Sequence, residues 1–327
     1  MKTLLDVRKG VVEIVDMPKP VCTDDTLLVQ NIFSGISNGT ERNVLMGGCY
    51  GRGAFPDKCN YQPVARVVEV GKNIRKYKVG DIVIDGTVPG HVQYHLLKET
   101  DLMAKVPEGV DLLELALYGV SSVACHDALR VKVCPTDRVL VLGAGVIGQM
   151  IAQCCRAFGA EVTVADLLQE RLDCALELGT DYVYNLSDPE QEKVFYAKTN
   201  YFSVLFETTS SEAAFNKITG RGFDEGAASI IGKHARIVMV GGRYDMNYNS
   251  NAVQINEARI YHVHHFDQIA LDTVVRFFKN GIIRTKPLIT RVVPFNEAPA
   301  LFEIMRDDPS KLFGTVIDWR DVPAEDK

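Results

Sequence analysis

The chain lacks most of the features by which a sequence announces a partner. No apolar run reaches the roughly 18 residues that span a bilayer, and Met1–Arg8 hold no signal-peptide apolar core. A cytoplasmic protein without membrane contact is therefore expected. There is no Lys/Arg block either, and with 36 basic against 42 acidic residues the net charge is −6, which disfavours nucleic acid and anionic lipid. The eight cysteines form no C-x2-C pair, so structural-zinc spacing is missing, and without an export signal a disulfide framework is not expected. Cys154, Cys155 and Cys174 instead fall in helical patterns and read as small buried apolar groups. Repeats and low-complexity segments are absent as well. What remains is an ordinary folding composition, 46% hydrophobic and 24% charged, over 327 residues, enough for two domains at roughly 150 residues each.

The two halves of the pattern differ. Up to about residue 110 the chain reads as short β-branched strands, Val11–Val15, Thr26–Asn31 and Val64–Val70, bounded by turns such as Gly71-Lys72-Asn73. Strands without intervening helices predict an antiparallel, barrel-like β domain. The Gly-rich stretch 47–56 reads as a functional loop. Leu112–Leu129 reads as helical. From Arg138 strands and helices alternate: the continuous apolar run Arg138–Leu142, a helix from about Val146 to Phe158, the strand Glu161–Ala165, a helix Gln169–Leu178, then strands at Tyr182–Tyr184, Ser203–Phe206 and Ala235–Val240. That order predicts a doubly wound parallel sheet. The tail, with strands at Thr290–Phe295 and Phe313–Trp319 and a helix 296–305 capped by Asn296, is expected to return to the first domain.

Gly143-Ala144-Gly145-Val146-Ile147-Gly148 matches G-x-G-x-x-G. The match follows a buried strand, opens a helix, and has an acidic residue, Asp166, ending the next strand about 20 residues on, which is the context a dinucleotide fingerprint needs. Gly143 permits the tight turn, Gly145 admits a pyrophosphate close to the backbone, and Gly148 lets helix and strand approach. Val146 and Ile147 open the helix whose free N–H groups and dipole favour phosphate. Asp166 accepts from the adenosine ribose hydroxyls and repels a 2′-phosphate, so NAD is expected over NADP. Arg171, Thr208 and Gly241 join the cofactor-binding set, Arg171 either beside the adenosine or as an exposed helix residue.

A β domain, a dinucleotide unit beginning near residue 143 and a returning tail resemble the medium-chain dehydrogenase/reductase superfamily of zinc-type alcohol dehydrogenases over nearly the whole chain. Ser34-Gly35-Ile36-Ser37-Asn38-Gly39-Thr40-Glu41 resembles its first zinc-ligand segment, Val67–Gly71 the strand after its Gly-His-Glu motif, Asp166–Leu172 its NAD-dependent members, and Lys286–Thr290 its entry into the last catalytic-domain strands. The resemblance implies a GroES-like β-rich catalytic domain, 1–113 completed by 287–327, a Rossmann domain over 114–286, and a homodimer or homotetramer. The departures are as informative. Asn38 stands at the first ligand cysteine, Tyr61 at the ligand histidine, Gln62 at the glutamate, and Gly119-Val120 at the third ligand, while Pro89–Asp101 has no structural-zinc cysteines. Amide and phenol are poor zinc ligands, so no metal is expected. The segment at 34–41, Tyr61 and the terminal Ile-Asp-Trp resemble the hydroxyethyl-bacteriochlorophyllide dehydrogenase subgroup.

Without zinc, protein groups must handle the hydroxyl proton. Tyr61 is the first candidate, as a donor to substrate oxygen or as a packed ring. Thr40 stands where the family keeps a relay hydroxyl, or caps a turn. Asn38 is a hydrogen-bonding candidate, and Glu41 matches an acidic residue the family keeps behind the site, or pairs with a neighbour such as Arg42. His91 and His126 are acid/base alternatives, because an imidazole titrates near neutrality. The pair His262/His264 with His265, and Cys49 with Cys59, are weaker metal clusters without a full ligand set. The reading is an NAD-dependent, zinc-independent dehydrogenase of a secondary alcohol on a small substrate such as a sugar or cyclitol. A zinc-free alkene reductase of the quinone/enoyl type and a non-catalytic NAD-binding protein are the alternatives.

Overall fold

The computed structural model describes residues 1–58, 61–220, 229–241 and 245–323. The chain divides into two compact units, Met1–Val120 with Phe266–Lys327, and Ser121–His265.

In the first unit, β1 (Lys2–Arg8) and β2 (Val11–Asp16) form a hairpin. A larger sheet contains β3 (Leu27–Gly35), β4 (Pro63–Val70), β5 (Ile82–Asp85), β6 (Tyr94–Leu97) and β7 (Met103–Lys105), joined by β14 (Ile289–Pro294) and β15 (Gly314–Asp318). Its order is β14-β15-β3-β4-β5-β7, with β6 also on β3. Every pairing is antiparallel except β14 with β15. The tail returns here, with Val316 of β15 opposite Gly35 of β3. One core lies under α1 (Asn38–Leu45) and α10 (Ala298–Asp307), where Leu4, Ile36, Leu45, Phe302, Met305 and Trp319 are buried together. Burial of such side chains contributes about 1.5–3 kcal/mol each.

The second unit is a six-stranded sheet of β8 (Arg138–Leu142), β9 (Glu161–Asp166), β10 (Tyr182–Asn185), β11 (Phe202–Glu207), β12 (Ile231–Met239) and β13 (Arg259–His262). All pairings are parallel, in the order β10-β9-β8-β11-β12-β13. The helices α4 (Val146–Ala157), α5 (Gln169–Glu177), α6 (Pro189–Tyr196), α7 (Glu212–Thr219) and α8 (Ser250–Ile255) alternate with these strands. Four of the five β8 residues are buried, which explains the uninterrupted apolar run of a strand covered on both faces.

The structure differs from the sequence reading in four places. The helix expected over 112–129 is α2 (Leu112–Leu115) followed by α3 (Tyr118–Arg130). Between them Ala116 and Leu117 are fully buried, with the Ala116 carbonyl set against Gly35, where a Cβ would collide. Asn296 is not an N-cap. It sits in a 3-10 turn, Phe295–Glu297, drawn inward by the stacking of Phe295 on Trp319 with centroids 4.3 Å apart, and α10 starts after it. The helix α9 (Gln268–Lys279) belongs to the first unit, in contrast to a boundary drawn at 286/287. Gln268 Nε2 donates to Met103 O at 3.0 Å, and Asp267 caps the helix. Finally, Cys154 and Cys155 are buried while Cys174 is only half-buried.

Candidate functional site

The carboxyl edge of the parallel sheet gathers the cofactor candidates. The chain leaves β8 for β9 and β10 on one side, then crosses back to β11 on the other, so β8 and β11 flank a topological switch point, where ligands of such sheets bind. Gly143 lies just past β8 with φ +100°, a conformation that favours glycine, and a Cβ there would meet Thr208 Oγ1. Thr208 donates its hydroxyl to Leu142 O at 2.8 Å and so braces the turn. Gly148 lies on α4 against the Gly143 carbonyl, too close for any side chain. Gly145, the N-cap of α4, faces open space, and no heavy atom lies within 4 Å of where its Cβ would stand. The first turn of α4, Val146 and Ile147 included, presents N–H groups that have no partner inside the helix.

Asp166 ends β9, partly exposed. Its Oδ2 accepts from Ala144 N at 2.6 Å and its Oδ1 from Leu167 N and Leu168 N at 2.7 and 2.9 Å. The carboxylate is thereby locked beside the glycine turn, with lone pairs to spare. Arg171 lies in the first turn of α5, its carbonyl accepting from Gln149 Nε2 at 2.7 Å. Gly241 follows β12 at the same edge. Sequence reasoning missed Glu207. Fully buried at the end of β11, it accepts from Thr209 N, Thr209 Oγ1 and Ser210 N and so shapes the turn beside Gly143. An acid closing an otherwise apolar strand was the available signal.

The proton-handling candidates divide between the units. Asn38, Thr40, Tyr61 and His91 are in the first, and His126, on α3, is in the second. Tyr61 is 9% exposed and donates its hydroxyl to Ser37 Oγ at 3.0 Å. Thr40, half-buried, follows in the first turn of α1. Asn38 is spent on structure: its Nδ2 donates to Leu312 O and Phe313 O at 3.1 and 2.8 Å, which ties α1 to the tail. His91 is buried with both ring nitrogens engaged, Nδ1 with Ser34 Oγ at 2.9 Å and Nε2 with Glu41 Oε2 at 2.8 Å. Close by, Asp6 is 7% exposed, and its carboxyl is pushed up to about 7 by burial and then by the charges of Glu41 and Asp57, against the pull of His91. In the second unit Asp127 is 2% exposed, and burial alone raises its carboxyl to about 8.

The zinc positions do not suit a metal. The Asn38 amide is held by two tail carbonyls, and Tyr61 is a phenol bonded to Ser37. At the third position a Cβ on Gly119 would come within 2.9 Å of the Tyr61 ring, so that ring fills the space a third ligand would need. Among the described residues no three His, Cys, Asp or Glu side chains gather to hold an ion. Cys59, half of the proposed Cys49 pair, lies outside the described residues, as does Asn60.

Comparison with known proteins gives concordant results. A family profile described as zinc-binding dehydrogenase matches residues 146–280. The chain is 25% identical over 305 residues to 2-dehydro-3-deoxy-L-galactonate 5-dehydrogenase of Pseudoalteromonas atlantica, covering 83% of this chain and 85% of the relative. It is 23% identical over 318 residues to sorbitol dehydrogenase of Bacillus subtilis, covering 85% and 86%. In three dimensions it resembles galactitol-1-phosphate dehydrogenase from Escherichia coli with a TM-score of 0.83, at 18% identity, over 98% of this chain and 100% of the other. The fold is the expected one, a GroES-like β-rich unit and a Rossmann-type unit. Among the described residues no helix is long and apolar enough to cross a membrane.

Proposed function

We propose that the chain is a zinc-type alcohol dehydrogenase-like member of the medium-chain dehydrogenase/reductase superfamily, and that it interconverts a secondary alcohol and ketone of a sugar- or polyol-like substrate, using NAD and no zinc. The observation that carries the reading is the cradle at the switch point: Gly143 in its left-handed turn, Gly145 facing open space, and the α4 N-terminus beside the fixed Asp166 carboxylate. Bound NAD would supply the hydride acceptor. In this reading the N–H groups of Gly145, Val146 and Ile147 hold the pyrophosphate, and Asp166 receives the ribose hydroxyls. Tyr61 faces the substrate oxygen and handles its proton, with Thr40 as the relay hydroxyl. The names of the relatives, a sugar-acid dehydrogenase and a polyol dehydrogenase, support the substrate class.

The test is a panel of sorbitol, xylitol, L-idonate and galactitol 1-phosphate with NAD+ or NADP+, followed by NADH absorbance in chelator-treated buffer. Turnover with NAD+ is expected. Fluorescence titration should find NADH bound at least about tenfold tighter than NADPH, a gap of about 1.4 kcal/mol that one like-charge contact supplies. Asp166→Ala should narrow it, and equal affinities in the parent chain would overturn the cofactor assignment. Protein purified without a metal-affinity tag should carry no stoichiometric zinc by elemental analysis. One zinc per chain, lost together with activity, would refute the metal-free reading. Reduction of an enone by NADPH, with no polyol oxidised, would favour the alkene reductase.

A further inference from the structure

We propose that Glu41 and His91 are positioning residues which, acting through the backbone of Ser37, aim the Tyr61 hydroxyl. The inference rests on the reading of Tyr61 as the group that faces the substrate oxygen. It begins with an anomaly at the start of α1. Ser37 is the N-cap, a position where a serine hydroxyl ordinarily accepts a backbone N–H of the first turn. Here it makes no capping hydrogen bond and accepts instead from Tyr61 OH at 3.0 Å. The helix has given up its cap and the phenol has gained a fixed acceptor.

What holds Ser37 in place is a buried chain. Glu41 reaches back and accepts the Ser37 N–H on Oε1 at 2.8 Å. Its other oxygen, Oε2, receives His91 Nε2–H at 2.8 Å. His91 Nδ1 meets Ser34 Oγ at 2.9 Å, and Ser34 Oγ accepts from Trp319 Nε1–H at 2.8 Å. With the Trp319 proton pointing at Ser34 and the Ser34 proton at His91, every member has a partner. Ser34, Glu41, His91 and Trp319 are each at most 3% exposed. The chain therefore runs from Trp319, just past β15, to the first turn of α1 through buried side chains.

Stability alone does not explain such an arrangement. A buried carboxylate–imidazole pair loses its solvation, and well-packed apolar residues of the same volume hold a core at least as well. Local rigidity does explain it. Two charge-assisted bonds on one carboxylate, Ser37 N–H on one oxygen and His91 on the other, fix the Ser37 backbone and hence its hydroxyl. Supporting hydrogen bonds of this kind keep a reacting group within a fraction of an ångström of its working position.

The experiment measures kcat and KM on the panel substrate turned over fastest by the parent chain. Tyr61→Phe should lower kcat by about 10²-fold with the KM for NAD+ within about twofold. Ser37→Ala and Glu41→Ala should each lower kcat by about tenfold with the same small change in KM. Glu41→Gln, which keeps an oxygen for the Ser37 N–H, should recover to within about threefold of the parent. In a Tyr61→Phe background Ser37→Ala should cost nothing more, because its effect passes through the phenol. A full tenfold loss in that background would overturn the proposal, as would Glu41→Gln no better than Glu41→Ala, or parent turnover in Ser37→Ala. Should Glu41→Ala fail to fold, Ser37→Ala decides, since it removes one oxygen and leaves the backbone. Near-full turnover in Tyr61→Phe would sink the reading of Tyr61 itself and this inference with it. Loss in Tyr61→Phe with additive partners would sink the inference alone.

Discussion

At the scale of single residues, the interior carries acids that folding makes hard to ionise. Asp6 titrates near 3.8 in an unfolded chain and about 7 in the folded one, and Asp127 is raised to about 8. A folded state that holds its proton more tightly than the unfolded state loses stability as the pH rises between the two values. The contribution is complete below the unfolded value and gone above the folded one. Melting temperature should therefore decline from about pH 5 to about pH 8, and Asp6→Asn, which keeps the shape without the charge, should flatten the decline and raise the melting temperature at the alkaline end. Asp127→Asn should act in the same direction in the second unit. An Asp6→Asn variant less stable than the parent at the alkaline end would mean that the Asp6 carboxylate is welcome where it sits. Neither carboxyl was distinguishable from a surface acid in the sequence. The raised pKa of Asp6 comes from its burial and from the nearness of Glu41 and Asp57, neither of which the chain order reveals.

At the scale of elements, short-range signals read well. The β8–turn–α4 unit and the acid that follows it are contiguous, and the spacing of three glycines carries its own steric reason. Gly148→Ala gives the sharpest check. Its added methyl would enter the Gly143 carbonyl, so the helix or the turn must move. We expect a loss of about 1–3 kcal/mol in urea unfolding, as for overpacking elsewhere, together with at least about tenfold weaker NADH binding. Unchanged values in both measurements would show that α4 has slack here. Boundaries read less well. The break at Ala116-Leu117 and the displaced start of α10 are set by burial against Gly35 and Trp319, which lie far off in the chain.

At the scale of the whole molecule, an edge remains to be accounted for. β13, at the end of the parallel sheet, pairs only with β12 among the described residues and carries Ile260 and Tyr261 half-buried. An open edge of that composition invites a second strand, and a two-fold axis supplies one without risk of open-ended growth. We expect light scattering at micromolar concentration to give at least a dimer. A monomer mass would reject it.

What the sequence by itself determined is what neighbours along the chain can specify: the alternation of strands and helices from Arg138, the glycine turn with Asp166, and the identity of Asn38, Tyr61 and Gly119 where the resemblance puts zinc ligands. Tertiary structure decided how those residues are used. Asn38 was legible as a replaced cysteine, but the tail carbonyls of Leu312 and Phe313 turned its amide into a tether. His91 was legible as an imidazole, but Ser34 and Glu41 occupy both its nitrogens. Ser37 and Trp319 became functional candidates only when folding brought residues from four distant stretches of chain into one hydrogen-bonded line. The physical reason is that steric and helical preferences act over a few residues and leave a mark in local spacing, whereas a buried polar group is assigned its partner by whichever chain segment the core closes over it.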